Sequence, residues 1–96
     1  MLALAVTYVI KPGHEAEAAE FLRRLAAETR NERGNRMYVA HRGEDDPRTF
    51  SLYEQYDDAA ALEAHRATEY FERYGTNGLQ KIAESRHPQL YVPLDV

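Results

Sequence analysis

Two residues have the type and the setting that proton-transfer chemistry requires. Glu54 lies in the alternating run Thr49 to Tyr56, where it shares one face with Phe50, Leu52 and Tyr56. A carboxylate on an apolar face needs a partner or a raised pKa. It reads either as an acid, base or orienter in a pocket, or as a strand-end carboxylate that caps the next helix or pairs with an arginine. His65 follows Leu62 by three positions, so both face inward from one helix. An unperturbed imidazole titrates near pH ~6.5, which suits a general base at neutrality. The bland alternative is a core histidine hydrogen-bonded to Glu54. Together the two residues could form a base and its orienter, able to take a proton from a bound substrate.

Aromatic side chains surround this pair in the chain order. There are seven tyrosines. Tyr8, Tyr56, Tyr70 and Phe71 flank Glu54 and His65 in the topology expected below, and are the candidate substrate-pocket residues. Residues of this kind also serve simply as core or interface. His41 reads as a surface or interface residue. His14 and His87 read as solvated residues at element edges. Other signatures fail. His14-Glu15-Ala16-Glu17-Ala18 lacks the second histidine of a zinc-protease helix. Gly75-Thr76-Asn77-Gly78 is no nucleotide loop, and there is no Gly-x-Ser-x-Gly elbow. The Arg23-Arg24 pair reads as a solvated helix face.

The elements that must position the pair follow from periodicity. Leu2 to Ile10 alternates as a strand with both faces largely apolar. Lys11-Pro12-Gly13 turns the chain. His14 to about Arg33 is a helix, with Ala18, Phe21, Leu22, Leu25, Ala26 and Thr29 as its apolar stripe. Arg36 to Arg42 and Thr49 to Tyr56 are strands joined by the polar turn Gly43 to Arg48, hence an antiparallel hairpin. Asp57 or Asp58 caps a helix that runs to about Ala67. A second helical stretch starts near Thr68 and runs to Tyr74. Leu79 to Glu84 adds a turn or two. Gln89 to Leu94 is the last strand, delimited by Pro88 and Pro93. The order β-α-β-β-α-β predicts an α+β, ferredoxin-like fold: a four-stranded antiparallel sheet with helices on one face. Ala3, Ala5, Val9, Met37, Val39 and Tyr53 then populate the other face. Sheet-to-sheet homodimerisation would bury them.

Composition bounds the rest. The 96 residues make a single domain, 1–96, with one small core. There is no cysteine, which removes disulfides, thiolate nucleophiles, iron–sulfur clusters and cysteine zinc sites. Sixteen acidic side chains against twelve basic ones give a net charge of −4, which speaks against a nucleic-acid partner. No apolar run reaches membrane-span length, and the first ten residues lack a basic leader, so no membrane partner and a cytoplasmic location are expected.

A family resemblance rests on three stretches. Tyr8-Val9-Ile10-Lys11-Pro12-Gly13-His14 is similar to its first strand and turn. Phe50 to Asp58, as Phe-Ser-Leu-Tyr-Glu-Gln-Tyr-Asp-Asp, resembles its signature together with Ala61-Leu62-Glu63-Ala64-His65 and Phe71. The family is the antibiotic-biosynthesis-monooxygenase-like domain, whose members include quinol monooxygenases, cofactor-free polyketide oxygenases, a phospho-sugar isomerase and haem-degrading relatives. The resemblance covers nearly the whole chain and is most like the quinol-monooxygenase members. It implies a dimeric α/β barrel and a pocket between helices and sheet in each subunit. Two departures bear on activity. Tyr70 stands where the isomerase has a second histidine, and the chain lacks the tryptophan of the haem-degrading members, with Thr7 or Tyr8 where their asparagine belongs. The implied activity is a small monooxygenase with no cofactor and no metal. It would act with O2 on a phenolic, quinol or polyketide-like aromatic molecule, with His65 and Glu54 catalytic. The alternatives are an isomerase or proton-transfer enzyme on a small carbonyl or phospho-sugar compound, and a non-catalytic dimeric ligand-binding or stress-associated domain.

Overall fold

In a computed structural model that describes residues 1–94, the chain forms β1 (Leu2–Ile10), α1 (Glu15–Thr29), β2 (Asn35–Arg42), β3 (Thr49–Tyr56) and α2 (Ala59–Arg66). A π-helical turn (Phe71–Thr76), a 3-10 turn (Leu79–Ile82) and β4 (Ala83–Tyr91) follow. The strands pair antiparallel in the order β2-β3-β1-β4, the ferredoxin-like arrangement expected. Leu4, Val6, Tyr8 and Ile10 of β1 meet Phe50, Leu52 and Tyr56 of β3 on the face that α1 and α2 cover with Leu22, Leu25 and Leu62. Among the described residues no helix is long and apolar enough to cross a membrane.

Local chemistry fixes the element ends. Gly13 takes φ +90, a left-handed conformation that costs glycine little, and so turns β1 toward α1. Asp58 caps α2 by accepting from the Ala61 backbone N–H at 2.9 Å. α1 ends at Thr29, with the last residue of its apolar stripe and four residues short of the expected end near Arg33. The next residues tighten into short turns, with Asn31 N–H donating to Glu28 O at 3.1 Å and Glu32 N–H donating to Thr29 O at 2.9 Å. The largest correction concerns the last strand. It starts at Ala83 rather than Gln89 and ends at Tyr91, so Pro88 sits inside it, opposite Val6. A proline is tolerated there because β4 is an edge strand and one side of its backbone owes the sheet no hydrogen bond. His87 accordingly lies within β4, exposed, rather than at its edge.

Gly34 is where the turn after α1 meets α2. A Cβ added there would lie 2.5 Å from Ala61 Cβ, and the Gly34 carbonyl accepts from Asp57 N–H at 2.9 Å. Gly34→Ala is therefore expected to destabilise the protein by ~1–3 kcal/mol through overpacking. Urea unfolding of the single variant and of Gly34→Ala with Ala61→Gly checks this. The second change removes the opposing atom and should restore much of the loss. A double variant no more stable than the single one would refute the contact.

Candidate functional site

β3 and α2 converge on one buried cluster. Glu54, near the C-terminal end of β3, is 3% exposed, and His65, in the last turn of α2, is 2% exposed. Their spacing is not a hydrogen bond: His65 Nε2 stands 3.8 Å from Glu54 Oε1. The other ring nitrogen is the anchored one. His65 Nδ1 lies 2.9 Å from Oε2 of Glu32, in the turn that follows α1. A carboxylate can only accept, so this contact holds the proton on Nδ1 of the neutral ring and leaves the Nε2 lone pair facing Glu54. The orienter of His65 is thus Glu32, which the chain order did not single out. Its one signal was position: Glu32 follows Thr29, the last residue of the apolar stripe, by three.

Two tyrosines complete the network. Tyr56 OH donates to Glu54 Oε1 at 2.5 Å, and Tyr70 OH donates to Glu32 Oε2. The result is a chain of contacts from Tyr70 through Glu32 and His65, across the 3.8 Å gap, to Glu54 and Tyr56. Phe71 stands edge-on to the imidazole at 5.1 Å, and the Tyr56 ring is tilted against it at 5.3 Å. Tyr38 of β2, also unforeseen, comes within 6.3 Å of it.

Burial decides the protonation of this cluster. Desolvation pushes the Glu54 carboxyl above its ordinary value, only partly countered by the Tyr56 hydrogen bond and, when the ring is protonated, by the charge of His65. Tyr38, Tyr56 and Tyr70 are all pushed up, first by burial and then by neighbouring carboxylates, so their hydroxyls remain donors at neutral pH. Tyr8 is raised by burial and drawn partly back by Arg86. A proton arriving on Nε2 would convert the ring to imidazolium lying between two carboxylates, at 2.9 and 3.8 Å.

Beside the pair is a chamber of about 20 Å³, lined by Tyr8, Tyr38, Glu54, His65, Phe71 and Arg86 among others. It holds a water-sized molecule and no ring. Of the expected pocket residues, Tyr8 and Phe71 line it, while Tyr56 and Tyr70 stand behind it and bond the two carboxylates. Among the described residues no group of three His, Asp or Glu side chains is placed to hold a metal ion.

Residues 1–76 match the sequence profile of the family described as antibiotic biosynthesis monooxygenase. The chain belongs to that family. Membership supports a general monooxygenase-like function. Solved structures agree with the fold. The protein PA3566 from Pseudomonas aeruginosa shares 33% identity, with 97% of this chain and 93% of that chain covered and a TM-score of 0.90. A structure described as an antibiotic biosynthesis monooxygenase shares 27% over 98% of this chain and 99% of its own, with a TM-score of 0.90. The protein SO0527 from Shewanella oneidensis shares 26% over 94% of this chain and 87% of its own, with a TM-score of 0.87. No curated protein is similar enough to count as a match. In this chain the end of β3, the turn after α1 and the last turn of α2 carry the histidine–carboxylate cluster described above.

Proposed function

We propose that the protein is a cofactor-independent monooxygenase of a phenol, hydroquinone or related aromatic. The observation that carries this reading is the buried imidazole held at Nδ1 by Glu32, with Nε2 turned to a second carboxylate and a chamber. His65 Nε2 takes the substrate proton, and Glu32 and Glu54 stabilise the imidazolium. The resulting phenolate is electron-rich enough to donate one electron to O2. Recombination forms a carbon–oxygen bond as a hydroperoxide, and loss of water leaves a carbonyl. For a hydroquinone the sum is hydroquinone plus O2 giving hydroxyquinone plus water, with every electron drawn from the substrate. The chain contributes proton removal, orientation and exclusion of water.

A ring needs more space than 20 Å³. The outer wall is the π-helical turn, where Phe71 packs against Gly75. Segments of this kind recur at functional sites. The test is O2 uptake and product mass with a panel of quinols and anthrones, including 18O2. One labelled oxygen per product supports the reading. Turnover of the same substrate without oxygen overturns it and points to proton transfer or isomerisation by the same residues. The narrowness of the chamber favours a second reading, a non-catalytic domain in which the two carboxylates and the histidine only satisfy one another. No turnover and no chamber enlargement with any aromatic would establish that.

The uncovered sheet face bears on assembly. Register aligns Met37, Gln55, Ala3 and Tyr91 in one row and Val39, Tyr53, Ala5 and Gln89 in the next. Met37 and Tyr91 are exposed, while Ala3 is already buried. The reading adopted is a homodimer through this face, whose burial would be worth ~25 cal/mol per Å² before association costs. Val39→Glu with Tyr53→Glu is expected to convert a species of twice 11.0 kDa into one of 11.0 kDa by light scattering. An unchanged mass refutes this interface.

A further inference from the structure

A second cavity, of about 340 Å³, lies open between α1 and the edge strand β2 and shares no lining residue with the chamber at His65. It exists because small side chains face one another across it: Ala19, Ala26 and Ala27 of α1 and Ala40 of β2. Ala40 is on the helix-covered side of the sheet, in register with buried Leu52, yet it is exposed. The helix passes over without filling the space.

Three arginines rim this apolar floor: Arg30, Arg42 and Arg23, the last paired with Glu20 at 3.5 Å. No carboxylate lines it. Arg42 lies over the Phe50 ring at 4.9 Å and donates to the Glu15 carbonyl at 3.3 Å. Arg30 donates twice to the Tyr38 carbonyl, at 3.2 and 2.8 Å. Among the described residues neither makes an ion pair, whereas Arg36, Arg48, Arg66 and Arg73 each have a carboxylate. Backbone carbonyls and an aromatic face thus hold both guanidiniums in place without neutralising them. In a chain of net charge −4, such a local excess of cation over an apolar floor is not a reflection of composition.

We propose that this groove binds a small aromatic carboxylate, with the ring on the alanines and the acid group on Arg42 and Arg30. A planar guanidinium fork matches a carboxylate in two parallel hydrogen bonds, and its fixed position lowers the entropy lost on binding. The volume lies at the lower end of small-molecule sites, suited to one or two rings. The groove stands apart from the chamber at His65, and its occupancy is measurable without turnover.

The experiment is amide NMR titration of the full chain with naphthoate, and with naphthalenemethanol as the uncharged counterpart. Naphthoate should shift the amides of Ala27, Ala40 and Arg42 saturably, and the alcohol should bind about tenfold or more weakly, the worth of a hydrogen bond to a charged group. Arg42→Gln should weaken naphthoate by about tenfold on the same ground, while the alcohol is unaffected. Ala40→Phe, an exposed strand position that tolerates an aromatic, should fill the groove and abolish binding at unchanged Tm. Equal affinity for acid and alcohol overturns the proposal. So do shifts confined to Leu62, His65 and Phe71, full binding by Ala40→Phe, or groove shifts that follow protein concentration without ligand, which would mean that a second copy fills it.

Discussion

Replacing His65 by Gln is expected to lower turnover of an oxidisable phenol or quinol by about 10²–10⁴-fold, the usual contribution of a positioned general base. Glutamine keeps a polar side chain in the buried space between Phe71 and Tyr56, so the loss is chemical before it is structural. The effect should fall on kcat more than on KM, because the proton moves only on the way to the transition state. Glu32→Gln separates base from orienter. An amide can accept from Nδ1 but brings no negative charge to the imidazolium, and turnover should fall by about 10–100-fold, as for other residues that act through a ligand or base. Tyr70→Phe removes the hydroxyl that holds Glu32 and should act in the same direction, more weakly. Equal turnover by wild type and His65→Gln would sink the assignment. If the Tm of His65→Gln falls while its turnover survives, the histidine is a packing residue.

The strands of this fold were legible because period-two patterning is local. Leu2–Ile10 and Thr49–Tyr56 follow directly from it, and the same parity places Glu54 on the helix side. His65 was legible for the matching reason, as one turn beyond Leu62. Glu32 was not. The helix expected from His14 to about Arg33, with Gly34 as its stop, runs through it, whereas the chain leaves the helix at Thr29 and curls, and only that curl brings Glu32 to Nδ1. Such a contact spans 33 positions and depends on Gly34 approaching α2, a tertiary fact with no local pattern. The start of β4 is not legible, because proline inside a strand argues against it unless the strand is known to be an edge. The arginine groove was invisible for a different reason. Alanine in a stripe reads as packing, and whether small side chains close up or leave a space depends on how far the helix stands from the sheet.

Glu54→Gln is the sharper test of how charge is arranged, because its effects on stability and on turnover should run in opposite directions. Burial raises the Glu54 pKa above its unfolded value of ~4.3. For an acid shifted upward, the folded state binds the proton more tightly. The stability this contributes is complete below the unfolded pKa and is lost as pH rises through the folded one. Above that point the native state bears the cost of a buried carboxylate. Glutamine keeps an acceptor for Tyr56 OH and has no charge to bury. The variant should therefore melt close to wild type at pH 4 and above it at pH 8, with the gap opening between. Turnover should fall by about 10²-fold, since the imidazolium loses one of its two flanking carboxylates at the moment it forms. A variant less stable than wild type at pH 8 would show that the ion pair with His65 outweighs desolvation. Unchanged turnover would show that Glu54 serves the fold alone. Higher stability with lower turnover would mean that the protein retains an unfavourable buried acid because His65 needs its charge, the trade expected of an active site and not of a core contact.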